Sequence, residues 1–189
     1  MKQLITCIRF FVLLMLLTGV LYPIGVTLLA GVLFPHQAKG SLVILNGKIV
    51  GSELLAQKTE NPKYFWPRPS SGSYATIPSG ASNLGPSSAA LQKGISDFST
   101  AFRKANKLSD STPLPDDLIT TSASGLDPHI SPAAALIQIA RVAAARGYTP
   151  VQMEKLKTLV ESHVEKPQLG FLGDARVNVL LLNLDLGKL

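Results

Sequence analysis

One stretch constrains everything else in the chain. From Phe10 to Phe34 the sequence reads FFVLLMLLTGVLYPIGVTLLAGVLF, without a single Asp, Glu, Lys, Arg or His. It is about 25 residues long, and a helix rising 1.5 Å per residue needs about 20 to cross the hydrocarbon of a bilayer. A core helix of a soluble protein would carry a polar stripe, and this one carries none. A secretory leader has a shorter apolar stretch followed by a small-x-small cleavage site. Here the run continues into Pro35, His36, Gln37, Ala38 and Lys39, which is not such a site. The expectation is a retained single-pass transmembrane helix over 10–34, with a stub at 1–9 and one domain over 35–189.

The flanks bear on orientation. Lys2, Arg9 and the terminal amine precede the helix and Lys39 and Lys48 follow it, so the positive-inside rule alone is nearly balanced. The brevity of the stub favours a cytoplasmic N-terminus and an outward-facing domain. Net charge is +6 and the sequence pI ≈ 9.6, which fits an anionic membrane surface, nucleic acid or a merely basic soluble face. Cys7, the only cysteine, precedes the apolar run, so the domain forms no internal disulfide.

Within the apolar run, Pro23 has no amide hydrogen and predicts a break in the helix near Gly19. Thr27 and Gly31 are spaced four apart, and with Gly19, Pro23 and Gly25 they mark where another helix is expected to pack. After it, Leu42–Leu45, Asn46-Gly47 and Lys48–Val50 read as a hairpin on a type I′ turn. Ser52 is expected to cap a short helix reaching Gln57. Residues 61–88 are dense in Pro, Gly and Ser yet hold Tyr64, Phe65, Trp66 and Tyr74, so they read as an ordered surface loop rather than a linker. Arg68 stands between two prolines in it.

The second half is helical by pattern. Pro86 to Lys107 places Leu91, Ile95, Phe98 and Phe102 on one face. Ser131-Pro132 is a helix start, with Leu136, Ile139, Ala140 and Ala143 as the buried stripe and Gly147 as the stop. Thr149-Pro150-Val151-Gln152 restarts at once with a capping box, and Leu156, Leu159, Val160 and His163 or Val164 form the next stripe. Residues 177–186 read as strand by alternation and as helix by a cap at Asn178, with helix preferred. The domain is therefore α+β.

The chemistry-bearing letters are few. Ser122, Ser124, Asp127, His129 and Ser131 crowd into ten residues, and one reading is a membrane-anchored periplasmic hydrolase using Ser124, Asp127 and His129. No G-x-S-x-G elbow supports it, and a turn built on Asp-Pro accounts for the same residues. Three histidines and one cysteine are too few for a zinc site. No glycine-rich loop ends in Lys and Ser or Thr, so no phosphate cradle is present. The helical pair around Gly147 resembles a DNA-binding turn only in length. Its second helix mixes Glu154, Lys155, Lys157 and Glu161, which excludes a basic reading face, so no nucleic-acid partner is expected.

Eight stretches, in order and spanning the chain, resemble the C subunits of the Kdp-type potassium-transporting P-type ATPases, the KdpC family. They are LYP at 21–23, FPHQAKGSL at 34–42, GSELLAQ at 51–57, YFWPRPS at 64–70, SGASNLGPS at 79–87, SASGLDPHISPAAA at 122–135, QIARVAAARG at 138–147 and RVNVLLLNL at 176–184. Ala56 stands where the family pattern has glycine. The resemblance implies a non-catalytic accessory subunit of a high-affinity uptake complex in the bacterial inner membrane, with a periplasmic domain. It implies three partners: a channel-like potassium-translocating subunit, a P-type ATPase subunit and a small single-span subunit, all in contact with membrane lipid. It also implies a role in assembly, with either a cap on the potassium entrance or a chaperone-like increase in the ATP affinity of the ATPase subunit. ATP enters by resemblance alone, and no residue reading supports a bound cofactor. The matched stretches single out Gln57, Arg68, Ser82, Asn83, Ser124, Asp127 and His129 as the family-motif surface, and by position Asp116, Asp117 and Asp127 are the acidic residues nearest to it.

Overall fold

A computed structural model describes residues 1–189, and the chain divides into two compact units, Met1–Ile49 and Val50–Leu189. The first unit is dominated by one continuous helix, Lys2–Leu33, long and apolar enough to cross a membrane, with mean hydropathy 2.4 in its most apolar window. It consists of α1 (Lys2–Leu16), a π-helical turn (Leu17–Leu21) and α2 (Tyr22–Leu33). The π turn is the predicted break. Pro23 offers no amide to the carbonyl of Gly19, and the ladder adjusts by widening, with the Tyr22 amide donating five residues back to Leu17. The hydroxyls of Thr18 and Thr27 each donate to the carbonyl four residues back, so neither is left unsatisfied in an apolar setting. A short α3 (Pro35–Ala38) follows, and β1 (Leu42–Leu45) then pairs with β2 (Lys48–Ser52). Asn46 and Gly47 have φ of 51° and 75°, as a type I′ turn requires.

Ser52 does not start a helix. Its hydroxyl accepts from the Leu54 amide, making a single serine turn, and the Ala56 amide then donates to the Leu126 carbonyl 2.8 Å away. That long-range bond draws the chain out straight before a second helical turn can form. Residues 53–88 contain no helix or strand. The expected surface loop holds for 61–64 and for the distal half but not between them: Phe65 is fully buried and Pro67 is buried, so the segment dips into the core and emerges again.

The core of the second unit lies between this segment and the helices. α4 (Ala89–Asn106) ends in a left-handed residue, Lys107, and Arg103 donates to the carbonyls of Ser109 and Thr112, fastening the break beyond it. A 3-10 turn (Asp116–Leu118) precedes β3 (His129–Ile130). α5 (Pro132–Leu136) begins as expected, with the Ser131 hydroxyl accepting from the Ala134 amide. α6 (Ile139–Arg146) ends at Gly147, with φ 69°, and α7 (Pro150–Ser162) starts on the predicted Thr149–Gln152 capping box. β4 (Val164–Glu165) and β5 (Arg176–Asn178) join β3 in an antiparallel sheet of order β3-β5-β4, with Ile130 and Val164 both opposite Val177. The tail resolves into both readings, since Asn178 ends β5 and caps α8 (Val179–Leu186) by accepting from the Leu181 amide.

One stripe is displaced. Leu136 and Ala140, expected inside, are exposed, whereas Ala134, Ala135, Gln138, Arg141 and Val142 are buried. The Gln138 amide bonds back only three residues, to Ala135, and this tightened turn shifts the helix phase between α5 and α6. The shift turns two long polar side chains inward.

Candidate functional site

Those two side chains build the first half of the site, a brace around the aromatic segment. Gln138 holds residue 66 as a neighbouring strand would. Its carbonyl oxygen accepts from the Trp66 amide at 2.8 Å, and its amide nitrogen donates to the Trp66 carbonyl at 3.2 Å. Asn183 does the same for Phe65, at 2.8 Å and 2.9 Å. Arg141 donates to the side-chain oxygens of Asn106 and Gln138 and to the carbonyls of Pro62 and Tyr64, and its guanidinium stacks 4.0 Å above the Trp66 ring. Every acceptor is neutral. Burial lowers the Arg141 pKa to about 10, which leaves the group charged at neutral pH. The segment is thus gripped without a strand ladder, which is why no strand pattern appears in its sequence.

Beyond the brace the segment delivers Arg68 to the surface. Tyr74 donates its hydroxyl to the Arg68 carbonyl, and burial together with the nearby Glu60 raises that phenol to about 12. Arg68 Nη1 donates to Asp127 at 3.1 Å, while Arg68 Nε is buried without a partner. Asp127 in turn accepts from the His129 amide at 3.0 Å, and His129 Nδ1 stands 3.4 Å from the same carboxylate oxygen. Burial alone would raise the Asp127 carboxyl. The hydrogen bonds from His129 and the charge of Arg68 outweigh it, and hold the group below its ordinary value. The loop carrying Asp127 lies against the distal part of the aromatic loop. A Cβ on Gly125, whose φ is +70°, would stand 2.9 Å from the Gly80 carbonyl oxygen.

The Arg68–Asp127 pair separates two shallow clefts. One, of about 560 Å³, is lined by Asp116, Asp117, His129, Ser131, Asp174 and Arg176 along with the pair itself. The other, of about 510 Å³, is lined by Leu54, Leu55, Ser122, Ser124 and Leu126 with the same pair. The three residues of the hydrolase reading are therefore not assembled. Ser124 accepts from the Leu126 amide to close a turn and faces the second cleft, while His129 faces the first. Ser82 and Asn83 are exposed on the distal loop, Asn83 with φ 53°. Gln57 is exposed and donates its amide to the Val50 carbonyl, lying across Gly51. The acidic neighbours divide in two. Asp117 accepts from the amide and hydroxyl of Ser131, and Asp127 is engaged as described, whereas the carboxylates of Asp116 and Asp174 make no such contacts.

The comparisons with known proteins match this chain from end to end. A family model described as KdpC, K+-transporting ATPase, c chain, covers residues 4–188. The chain belongs to the KdpC family. A protein of Polaromonas naphthalenivorans (strain CJ2), named Potassium-transporting ATPase KdpC subunit, is 50% identical over 185 residues, covering 96% of this chain and 92% of its own length. A protein of the same name from Geotalea uraniireducens (strain Rf4) is 45% identical over 193 residues, covering 100% and 99%. One from Leptospira interrogans (serovar copenhageni, strain Fiocruz L1-130) is 48% identical over 179 residues, covering 95% and 90%. Membership in KdpC makes the chain a non-catalytic component of an ATPase, in keeping with the dispersed Ser124 and His129.

Sequence reasoning found Arg68, Asp127 and His129 but missed Gln138, Arg141, Asn183 and Asp174. Gln138 and Arg141 lie three apart on a helix otherwise apolar on that side, a polar pair at core spacing, and that was the available signal. Asn183 interrupts a leucine run in the same way.

Proposed function

We propose that this KdpC chain is an accessory subunit of a high-affinity, ATP-driven potassium uptake complex of the bacterial inner membrane, and that it acts in assembly and stabilisation. Residues 10–34 span the membrane, 1–9 lie in the cytoplasm and 35–189 form the periplasmic domain. Its partners are a channel-like potassium-translocating subunit, a P-type ATPase subunit and a small single-span subunit. The observation that carries this reading is the match of residues 4–188 to a potassium-transporting ATPase c chain, in a chain whose long N-terminal helix carries no charged side chain from Phe10 on. Orientation is tested with Cys7, the natural cysteine of the stub. A membrane-impermeant maleimide added to intact cells is expected to leave Cys7 unlabelled, and to label Ser87→Cys in a Cys7→Ser background. The reverse pattern would overturn the topology.

A ridge of small residues on the long helix supports the assembly role. Pro23, Thr27 and Gly31 recur every four residues and form one ridge, and Gly19 stands one step before them. Where a Cβ would sit on Gly19 or Gly31, no atom lies within 4 Å, so a second helix approaching that ridge meets no side chain at either position. Gly31→Leu is expected to lower recovery of the partner subunits severalfold. Gly25 lies about 200° around the helix from Pro23, so Gly25→Leu reports on the opposite face.

Between the two accessory mechanisms, the cleft favours the potassium entrance. Asp116 and Asp174 hold carboxylates outside any ion pair, while Arg68 and Arg176 of the same cleft are engaged by Asp127 and Glu165, which leaves the two acids to meet a hydrated cation. Asp116→Asn with Asp174→Asn is expected to raise the external potassium giving half-maximal ATPase activity, with the ATP requirement unchanged. A shift in the ATP requirement with none for potassium would instead support the nucleotide-affinity role.

A further inference from the structure

Between β4 and β5 the chain projects a finger, Pro167 to Gly173. Its neck is closed by an antiparallel bridge in which Gln168 and Leu172 exchange both backbone hydrogen bonds at 2.9 Å. Within it the amides of Gly170 and Phe171 donate to the carbonyls of Pro167 and Gln168. The finger is therefore a defined turn with its backbone largely satisfied. Its side chains run opposite to what a water-facing turn carries: Leu169 is 82% exposed, Phe171 74% and Leu172 49%. Leu169 also holds φ at 54°, a region where a branched side chain is strained and glycine or asparagine would be at ease. A leucine kept there, beside a phenylalanine in open solvent, costs stability and solubility unless something covers it.

Charge and area decide what covers it. The acids Glu165 and Asp174 and the bases Lys166 and Arg176 flank the finger and cancel, with Arg176 and Glu165 paired at 2.8 Å. A tip that binds anionic lipid headgroups carries a basic collar, and this one has none. The exposed apolar surface of the three side chains amounts to roughly 300–400 Å². That is well short of the roughly 800 Å² per partner that a stable independent interface needs, so it does not hold two copies of this chain together by itself. It is the size of one anchor within a contact whose other terms come from elsewhere, as when both partners are confined to one membrane.

We infer that the finger is an anchor inserting Leu169 and Phe171 into an apolar, uncharged socket on another protein subunit of the same membrane complex. The inference rests on the accessory-subunit reading and adds to it the contact residues on this chain and the chemistry of the surface they meet.

The test uses the full chain expressed with its complex. Leu169→Ser with Phe171→Ser is expected to cut recovery of the partner subunits about tenfold or more, with membrane integration and thermal unfolding of the domain unchanged. Phe171→Leu is expected to retain the partners, because it keeps an apolar side chain of similar reach. In a Cys7→Ser background, Phe171→Cys bearing a benzophenone maleimide is expected, on irradiation of native membranes, to crosslink to a subunit that also co-purifies with the wild type. Full partner recovery by the double serine variant overturns the inference, and leaves the accessory reading standing. Adducts with lipid alone overturn it in favour of bilayer insertion, and adducts with a second copy overturn it in favour of self-association. A wild-type chain that recovers no partner at all would instead remove the accessory reading itself, and the finger's assignment with it.

Discussion

Two arginines hold opposite ends of the same aromatic segment, by opposite means. Arg141 is 7% exposed and meets only neutral oxygens and an indole ring. Arg68 has a side chain 24% exposed and meets the carboxylate of Asp127. The buried cation is solvated by carbonyl and amide dipoles that replace water one for one, so removing it orphans several acceptors at once. The outer pair is held by a charge that solvent already screens, so removing it orphans little. The inner arrangement keeps the segment in the core. The outer one sets the wall between two clefts.

The sharpest way to break this contrast is at Arg141. Arg141→Met keeps the apolar stem but leaves the Pro62 and Tyr64 carbonyls and the Asn106 and Gln138 side chains short of a donor. A loss of about 3–5 kcal/mol in chemical denaturation is expected. Arg68→Met is expected to cost about 1 kcal/mol or less. Equal losses would mean that the two ends of the segment do not differ as described.

The next test bears on how the outer loop is seated. Gly125→Ala would place a methyl group 2.9 Å from the Gly80 carbonyl oxygen while requiring φ of +70°. The nearest atom belongs to the backbone and cannot swing aside as the Ser70 hydroxyl at 3.3 Å can, so the backbone must move. A destabilisation of about 2 kcal/mol is expected, with faster proteolysis of the distal loop. A neutral result would show that the two loops slide freely.

These two sites also mark what could be read from the sequence. Ser131-Pro132, Thr149–Gln152, Asn46-Gly47 and Asn178 were legible because a cap or turn is decided by residues within a few positions. The phase of α5 and α6 was not, because Gln138 turns inward to meet Trp66, 72 residues away. The helix after Ser52 failed for the same reason, since Ala56 is captured by Leu126. Arg68, Asp127 and His129 were visible as letters and motif members. Their sharing of one carboxylate, and the separation of Ser124 from them, depend on loops that only tertiary packing places.

A smaller effect comes from acid. The Asp127 carboxyl titrates below its ordinary value in the folded protein, so the folded state binds that proton less readily than the unfolded chain. The stabilisation is fully present above the unfolded value near pH 4, and is lost as pH falls through the folded one. Wild type should therefore be more stable than Asp127→Asn at neutral pH, with the gap closing as pH falls through the folded value. A constant difference across that range would mean that the ion pair and the His129 bonds are not what distinguishes them.

The least disruptive change addresses Gln57, which the family motif singles out. Its amide lies so close over Gly51 that a Cβ there would stand 1.7 Å from Nε2, with Leu180 Cδ2 next at 3.0 Å. The obstruction is the free end of a flexible side chain, which can swing into water at the loss of one hydrogen bond to Val50. Gly51→Ala alone is expected to cost about 1 kcal/mol, and Gln57→Ala alone about 0.5 kcal/mol. In the double variant the methyl group enters space that the glutamine has vacated. Leu180 is then the nearest side chain left to adjust, and the combined loss should fall below the sum of the single ones by several tenths of a kcal/mol. Strict additivity would show that Gln57 does not rest on Gly51 in solution. A loss of potassium-dependent ATPase activity in Gln57→Ala, at unchanged domain stability and subunit recovery, would show that Gln57 does more than cover the glycine.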